Sequence, residues 1–155
     1  MGTVSPLQTR GERNNNPGNI VFDPNREEQF LGELGLELAQ PNAITPRRFA
    51  RFDTPAHGIR AIARILHSYY IRDGLPTLRG WIERWAPPSD DNDTLAYVVA
   101  VASETGIDPD KPFNDGAGPD AGDYSEVTRA IIKHENGRVI YDDQLIADAV
   151  GTAFV

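Results

Sequence analysis

The chain has 155 residues, 39% hydrophobic and 25% charged, a composition that fits a globular protein and argues against general disorder. It has no cysteine, which excludes a disulfide framework, thiolate zinc sites and a cysteine nucleophile, and no apolar run nears the ~20 residues of a membrane span. With 15 Lys+Arg against 23 Asp+Glu, the net charge is −8, so neither nucleic acid nor a membrane is an expected partner.

The length predicts one domain over residues 1–155, burying about 70% of the surface an unfolded chain exposes. Met1 to Gln8 carries no basic-then-apolar signal pattern, which predicts synthesis in the cytoplasm without a signal peptide. Residues 1–9 read as a flexible arm. The cations concentrate between Arg47 and Arg84, and Asp90 to Asp123 is almost wholly acidic; unevenly charged, solvated surface accounts for such a pattern.

Asn14-Asn15-Asn16-Pro17-Gly18-Asn19 is the strongest turn signal in the chain. It is followed by a strand candidate, Ile20-Val21-Phe22. Residues 23–46 hold Gly32, Gly35, Pro41 and Pro46 and read as a loop or small β-region. Arg48 to Phe52 alternates as a half-buried strand does. Thr54-Pro55 then opens a helix, with Ile59, Ile62, Ala63, Leu66 and Tyr70 on one face and Gly74 as its stop.

A second helix starts at Thr77, turns Leu78, Trp81, Ile82 and Trp85 inward, and ends at Pro87-Pro88. A third spans about Thr94 to Glu104, with Leu95, Val98, Val99 and Ala102 inward and Gly106 as terminator. Residues 107–122 form a Gly/Pro/Asp loop too polar for core. Asp123 to Glu126 has capping-box spacing and opens a helix that Asn136-Gly137 closes after Glu135. A last helix follows Asp142-Asp143, with Leu145, Ile146, Ala149 and Val150 as its stripe. The expected fold is mainly α (α+β), with a small β-region near the N-terminal end.

Glu135 is the foremost candidate for chemistry. It falls in the last turn of its helix, beside the partial negative charge of unpaired carbonyls. A partly buried carboxylate there is expected to have a raised pKa, as a general acid requires. Ile131 and Ile132 offer an apolar wall on the preceding turn. The same spacing equally describes a surface Glu at a fraying helix end. The asparagines suit sugar hydroxyls and acetamido groups, and they suit turns as well. Trp81, Trp85, Tyr69 and Tyr70 could stack on sugars or fill the core.

The histidines are isolated, so no zinc hydrolase is expected. Asp108-Pro109-Asp110 and Asn114-Asp115-Gly116 lack the closing bidentate Glu of a calcium loop. No metal site and no cofactor are expected.

Four segments taken in order carry a resemblance: Arg10-Gly11-Glu12-Arg13-Asn14-Asn15-Asn16-Pro17-Gly18-Asn19-Ile20, Phe52-Asp53-Thr54-Pro55-Ala56-His57-Gly58-Ile59-Arg60-Ala61, Trp85-Ala86-Pro87-Pro88 and His134-Glu135-Asn136-Gly137. Over about residues 10 to 150 they resemble a family of phage and prophage virion-associated proteins. A fainter likeness is to glucosaminidases of the lysozyme-like superfamily. There a catalytic Glu at a helix end precedes the Asn-rich turn, the β-region and a long helix. Here the Glu comes last, the order of a circularly permuted lysozyme-like fold.

That likeness implies a peptidoglycan-cleaving glycosidase, either a muramidase, a glucosaminidase or a lytic transglycosylase. In it Glu135 is the acid, Asn15, Asn16, Asn19 and Asn136 hold the sugar chain, and Asp53, Glu37 or Glu33 is a second carboxylate. The implied partners are cell-wall peptidoglycan and other virion proteins, reached within a virion or with another protein's help. The alternatives are a non-catalytic virion structural or tail-associated protein and a delivered effector acting on a rival cell wall.

Overall fold

The longest helix begins where a capping hydroxyl and a proline stand together. In the computed structural model, which describes residues 8–154, Thr54 accepts a hydrogen bond from the His57 N–H, and helix α2 runs Pro55–Ile71. Pro55 lacks only an N–H that a first turn leaves unpaired. Before it lie a one-turn helix α1 (Arg10–Arg13) and two short strands, β1 (Glu33–Leu36) and β2 (Ala50–Phe52). After it come α3 (Leu78–Trp85), α4 (Thr94–Thr105), α5 (Ala121–Asn136) and α6 (Asp143–Gly151). The chain is mainly α with one small antiparallel sheet, as expected.

Helix α2 buries Ile59, Ile62, Ala63 and Leu66 and packs on α5 and α6, while α4 lies against α3 and α5. Each fully buried aliphatic side chain contributes about 1.5–3 kcal/mol relative to exposure. The third, fifth and sixth helices start or stop on local signals. Thr77 caps α3, Asp142 caps α6, and Gly137 ends α5 at φ +78°. Among the described residues no helix is long and apolar enough to cross a membrane.

Several details differ from expectation. Of the expected N-terminal arm, residues 1–7 lie outside the described residues; from Thr9 the chain is ordered by a capping box with Glu12 that starts α1. Ile20 to Phe22 forms only an isolated bridge, Val21 to Phe49, because the turn at Pro24 follows at once. In α4 the buried side chains are Tyr97, Val98 and Val101, whereas Leu95 and Val99 are 65% and 58% exposed. Both sets fit a 3.6-residue period, so periodicity alone could not choose between them.

The loop 107–122 also contributes to the core. Phe113 is buried against Trp81, with ring centroids 4.4 Å apart, and Arg79 holds Asp110 at 2.5 Å. Helix α5 begins three residues early, because Asp120 and Asp123 form the capping box instead of Asp123 and Glu126.

Candidate active site

Four asparagines in a run of six residues shape the turn that ends at the site, and most of their side chains are spent on the protein itself. Asn16, fully buried, donates to the carbonyls of Ile20 (3.0 Å) and Ala50 (2.9 Å) and accepts from the Ile20 N–H (3.0 Å). Asn15, at φ +51°, donates to the Phe52 carbonyl at 3.1 Å. Asn14 donates to Glu37 at 3.2 Å. The turn is thereby fastened to β2, satisfying groups that burial would otherwise leave unpaired.

The Phe52 to Ala61 segment meets this turn from the other side. A Cβ on Gly58 would collide with the main-chain oxygen of Asn15, so α2 can approach the turn only without a side chain there. Asn136, buried at the end of α5, donates to the carbonyls of Pro17 and Ile132, both at 2.8 Å, and accepts from Thr9 Oγ1 at 2.7 Å. It fixes the end of α5 against the turn.

That closure brings Glu135 to Asn19. Asn19 stands at φ +50° and its Nδ2 donates to Glu135 Oε1 at 3.1 Å. The Tyr97 hydroxyl donates to Glu135 Oε2 at 2.8 Å and accepts from Trp85 Nε1 at 3.1 Å. Burial, then the Glu135 charge, pushes the Tyr97 phenol well above its ordinary pKa, so at neutral pH it remains a donor. The carboxyl is half-buried and both of its oxygens are held. Ile131 and Ile132 are fully buried in the core, and the groups that grip the carboxyl are polar.

Glu135 and Asn19 line an open cleft of about 220 Å³ together with Trp85, Tyr69, Phe49 and Arg48. This is smaller than the ~300–1,000 Å³ of a typical small-molecule pocket. Of the candidate sugar platforms, Trp85 and Tyr69 lie here, whereas Trp81 is core. Asn19 Oδ1 is buried without a hydrogen-bond partner among the described residues.

The other carboxylates considered for chemistry lie elsewhere. Glu37 is buried and ion-paired with Arg10 at 2.6 Å, and its Oε2 also accepts from the N–H groups of Arg48 and Phe49. Burial alone would raise its pKa. The Arg10 hydrogen bond, with those of Phe49, Arg48 and Asn14, outweighs burial and holds the carboxyl well below the usual range. It braces the cleft wall from behind. Asp53 is bound to His57 Nδ1 at 2.6 Å, and Glu33 to Arg26 at 2.7 Å. Neither lines the cleft.

Of the eight residues expected at the site, the cleft gathers Glu135 and Asn19. Two residues escaped the sequence reading. Tyr97 was hidden because the expected stripe on α4, of which Val98 and Ala102 do face the core, took in Leu95 and Val99 in its place; a buried tyrosine needs a partner for its hydroxyl, and that was the available signal. Asp90 follows the Trp85-to-Pro88 turn and also lines the cleft; nothing in its local spacing marks it.

No family model matches the chain. Over 128 residues it is 43% identical to "Protein P5" of Pseudoalteromonas phage PM2, a match that covers 83% of this chain and 71% of that relative.

Proposed function

Because the chain belongs to the family of protein P5 of Pseudoalteromonas phage PM2, we propose that it is a virion-associated phage protein that cleaves the glycan strands of peptidoglycan, with Glu135 as general acid. One observation carries this reading. A half-buried carboxyl at a helix end, gripped by Asn19 and Tyr97, lines a cleft with the rings of Trp85, Tyr69 and Phe49. The segment order of a circularly permuted lysozyme-like fold supports the same reading.

In the reaction the Glu135 proton passes to the glycosidic oxygen as the bond from that oxygen to the anomeric carbon breaks. A hydroxyl of the same sugar then bonds to the anomeric carbon and returns its proton to Glu135, or water bonds there and gives its proton to a second carboxylate. The intramolecular route closes an anhydro ring and needs no second carboxylate. The water route uses Asp90 as the base on the cleft. Trp85 and Tyr69 offer ring faces to the sugar, and Asn19 holds the acid in place. The protein reaches the wall within the virion or with the help of another protein.

A second reading, a non-catalytic virion structural protein, is favoured by the engagement of Glu37 and Asp53 with Arg10 and His57. Incubation of the protein and of Glu135→Gln with purified peptidoglycan, followed by mass spectrometry of the soluble fraction, separates the two. Muropeptides released by the wild type alone support the glycosidase, and their reducing or anhydro ends identify the bond and route. Release by neither protein supports the structural role.

A further inference from the structure

The cleft does not end at Tyr69. Ile65 and Tyr69 line both it and a second, larger groove of about 980 Å³. Arg60, Arg64 and Arg72 border this groove at four- and eight-residue intervals along α2 and its C-cap, a spacing that sets them on one side of a helix. Arg84 from α3 and Arg26 from the loop before β1 join them. These cations form the Arg-rich part of a chain whose net charge is −8.

Few of their donors are spent. Arg60 and Arg64 bond the carbonyls of Thr152 and Ala153, and Arg26 is held by Glu33 and the Val21 carbonyl. Arg72 and Arg84 share Asp73 at 3.6 and 3.7 Å and are 77% and 60% exposed. A guanidinium has five N–H donors in a fork that matches a carboxylate, so groups remain for a ligand. Glu27, Glu28 and Asp73 line the same groove, which makes it cationic in sum but able to receive an ammonium.

We infer that this groove binds the stem peptides of peptidoglycan, whose free carboxylates and side-chain ammonium match its mixed charge, while the sugar strand that bears them lies at Glu135. The inference rests on the glycosidase reading for its substrate, and it follows from the continuity of the two depressions through Ile65 and Tyr69. It makes peptide-bearing glycan, rather than bare glycan, the preferred substrate class.

The test measures binding apart from cleavage. In the Glu135→Gln background, titration calorimetry compares glycan oligomers with intact stems against the same oligomers stripped by an amidase. Stems are expected to tighten binding roughly tenfold, the effect of one or two charge-assisted hydrogen bonds. Adding Arg72→Gln with Arg84→Gln, both exposed positions, should remove that gain and leave stripped-glycan binding unchanged. Adding Arg60→Gln with Arg64→Gln provides a second pair that shares no residue with the first.

Equal binding of stemmed and stripped oligomers, or equal losses for both in the arginine variants, overturns the inference. So does tighter binding of a stem-free, phosphate-rich wall polymer. If the wild type releases no fragments while stemmed oligomers still bind and the arginine pairs abolish the gain, the glycosidase reading fails and the groove stands.

Discussion

Asn19 Nδ2 lies 3.1 Å from Glu135 Oε1, and the two residues are 116 positions apart in the chain. The first is held in a left-handed turn, the second on the last turn of α5. Asn136, the neighbour of Glu135, clamps the same turn through the Pro17 carbonyl. The position of the carboxyl is thus a property of the turn as much as of the helix.

Replacing Asn19 with glycine removes the amide without straining the φ of +50°. Loss of the hydrogen bond that positions the acid predicts a fall in glycan cleavage of roughly 10- to 100-fold. Thermal stability should stay nearly unchanged. Fragment release and the unfolding midpoint, measured side by side, check both statements. A large drop in midpoint would show that the amide serves the fold instead.

Tyr97→Phe deletes a hydroxyl that accepts from Trp85 and donates to Glu135. Two polar groups lose a partner at once, which predicts a loss of about 1–3 kcal/mol in urea unfolding. Cleavage should fall with it. A Tyr97→Phe, Glu135→Gln double-mutant cycle should return a coupling energy well above zero.

Glu37 predicts a pH dependence of stability. Its folded pKa lies below the free-chain value of 4.5, so below that pH the unfolded chain takes up a proton that the native state does not. Its contribution is therefore complete above about pH 4.5 and declines as the pH falls toward the folded value. Glu37→Gln should cost about 3 kcal/mol at pH 7 by stripping a buried pair of its charge. The gap between wild type and variant should narrow in denaturant titrations below pH 4.

Gly58→Ala has opposite predictions from local and tertiary physics. Helix propensity alone gives a gain of about 0.8–1.0 kcal/mol. The added Cβ, however, meets the main-chain oxygen of Asn15, and overpacking against backbone costs about 1–3 kcal/mol or more. The net expectation is a loss of roughly 2 kcal/mol, seen as a lower melting temperature.

Much of the fold was legible because helix boundaries are local. Thr54-Pro55, Thr77, Gly106, Gly137 and Asp142 each act on backbone groups within four residues, and each lies where the pattern placed it. The misread face of α4 and the displaced cap of α5 have a common cause. Two local solutions fitted equally well, and packing against neighbouring elements selected one.

The residue types and their order in the chain were enough to specify a mainly helical molecule and to single out Glu135 and the asparagine turn. Which asparagine faces the carboxyl, which tyrosine holds it, and that Glu37 is a brace were decided only by tertiary structure. Hydrogen-bond partners separated by tens of residues leave no periodic trace. A buried polar group takes whatever partner the folded chain brings within about 3 Å.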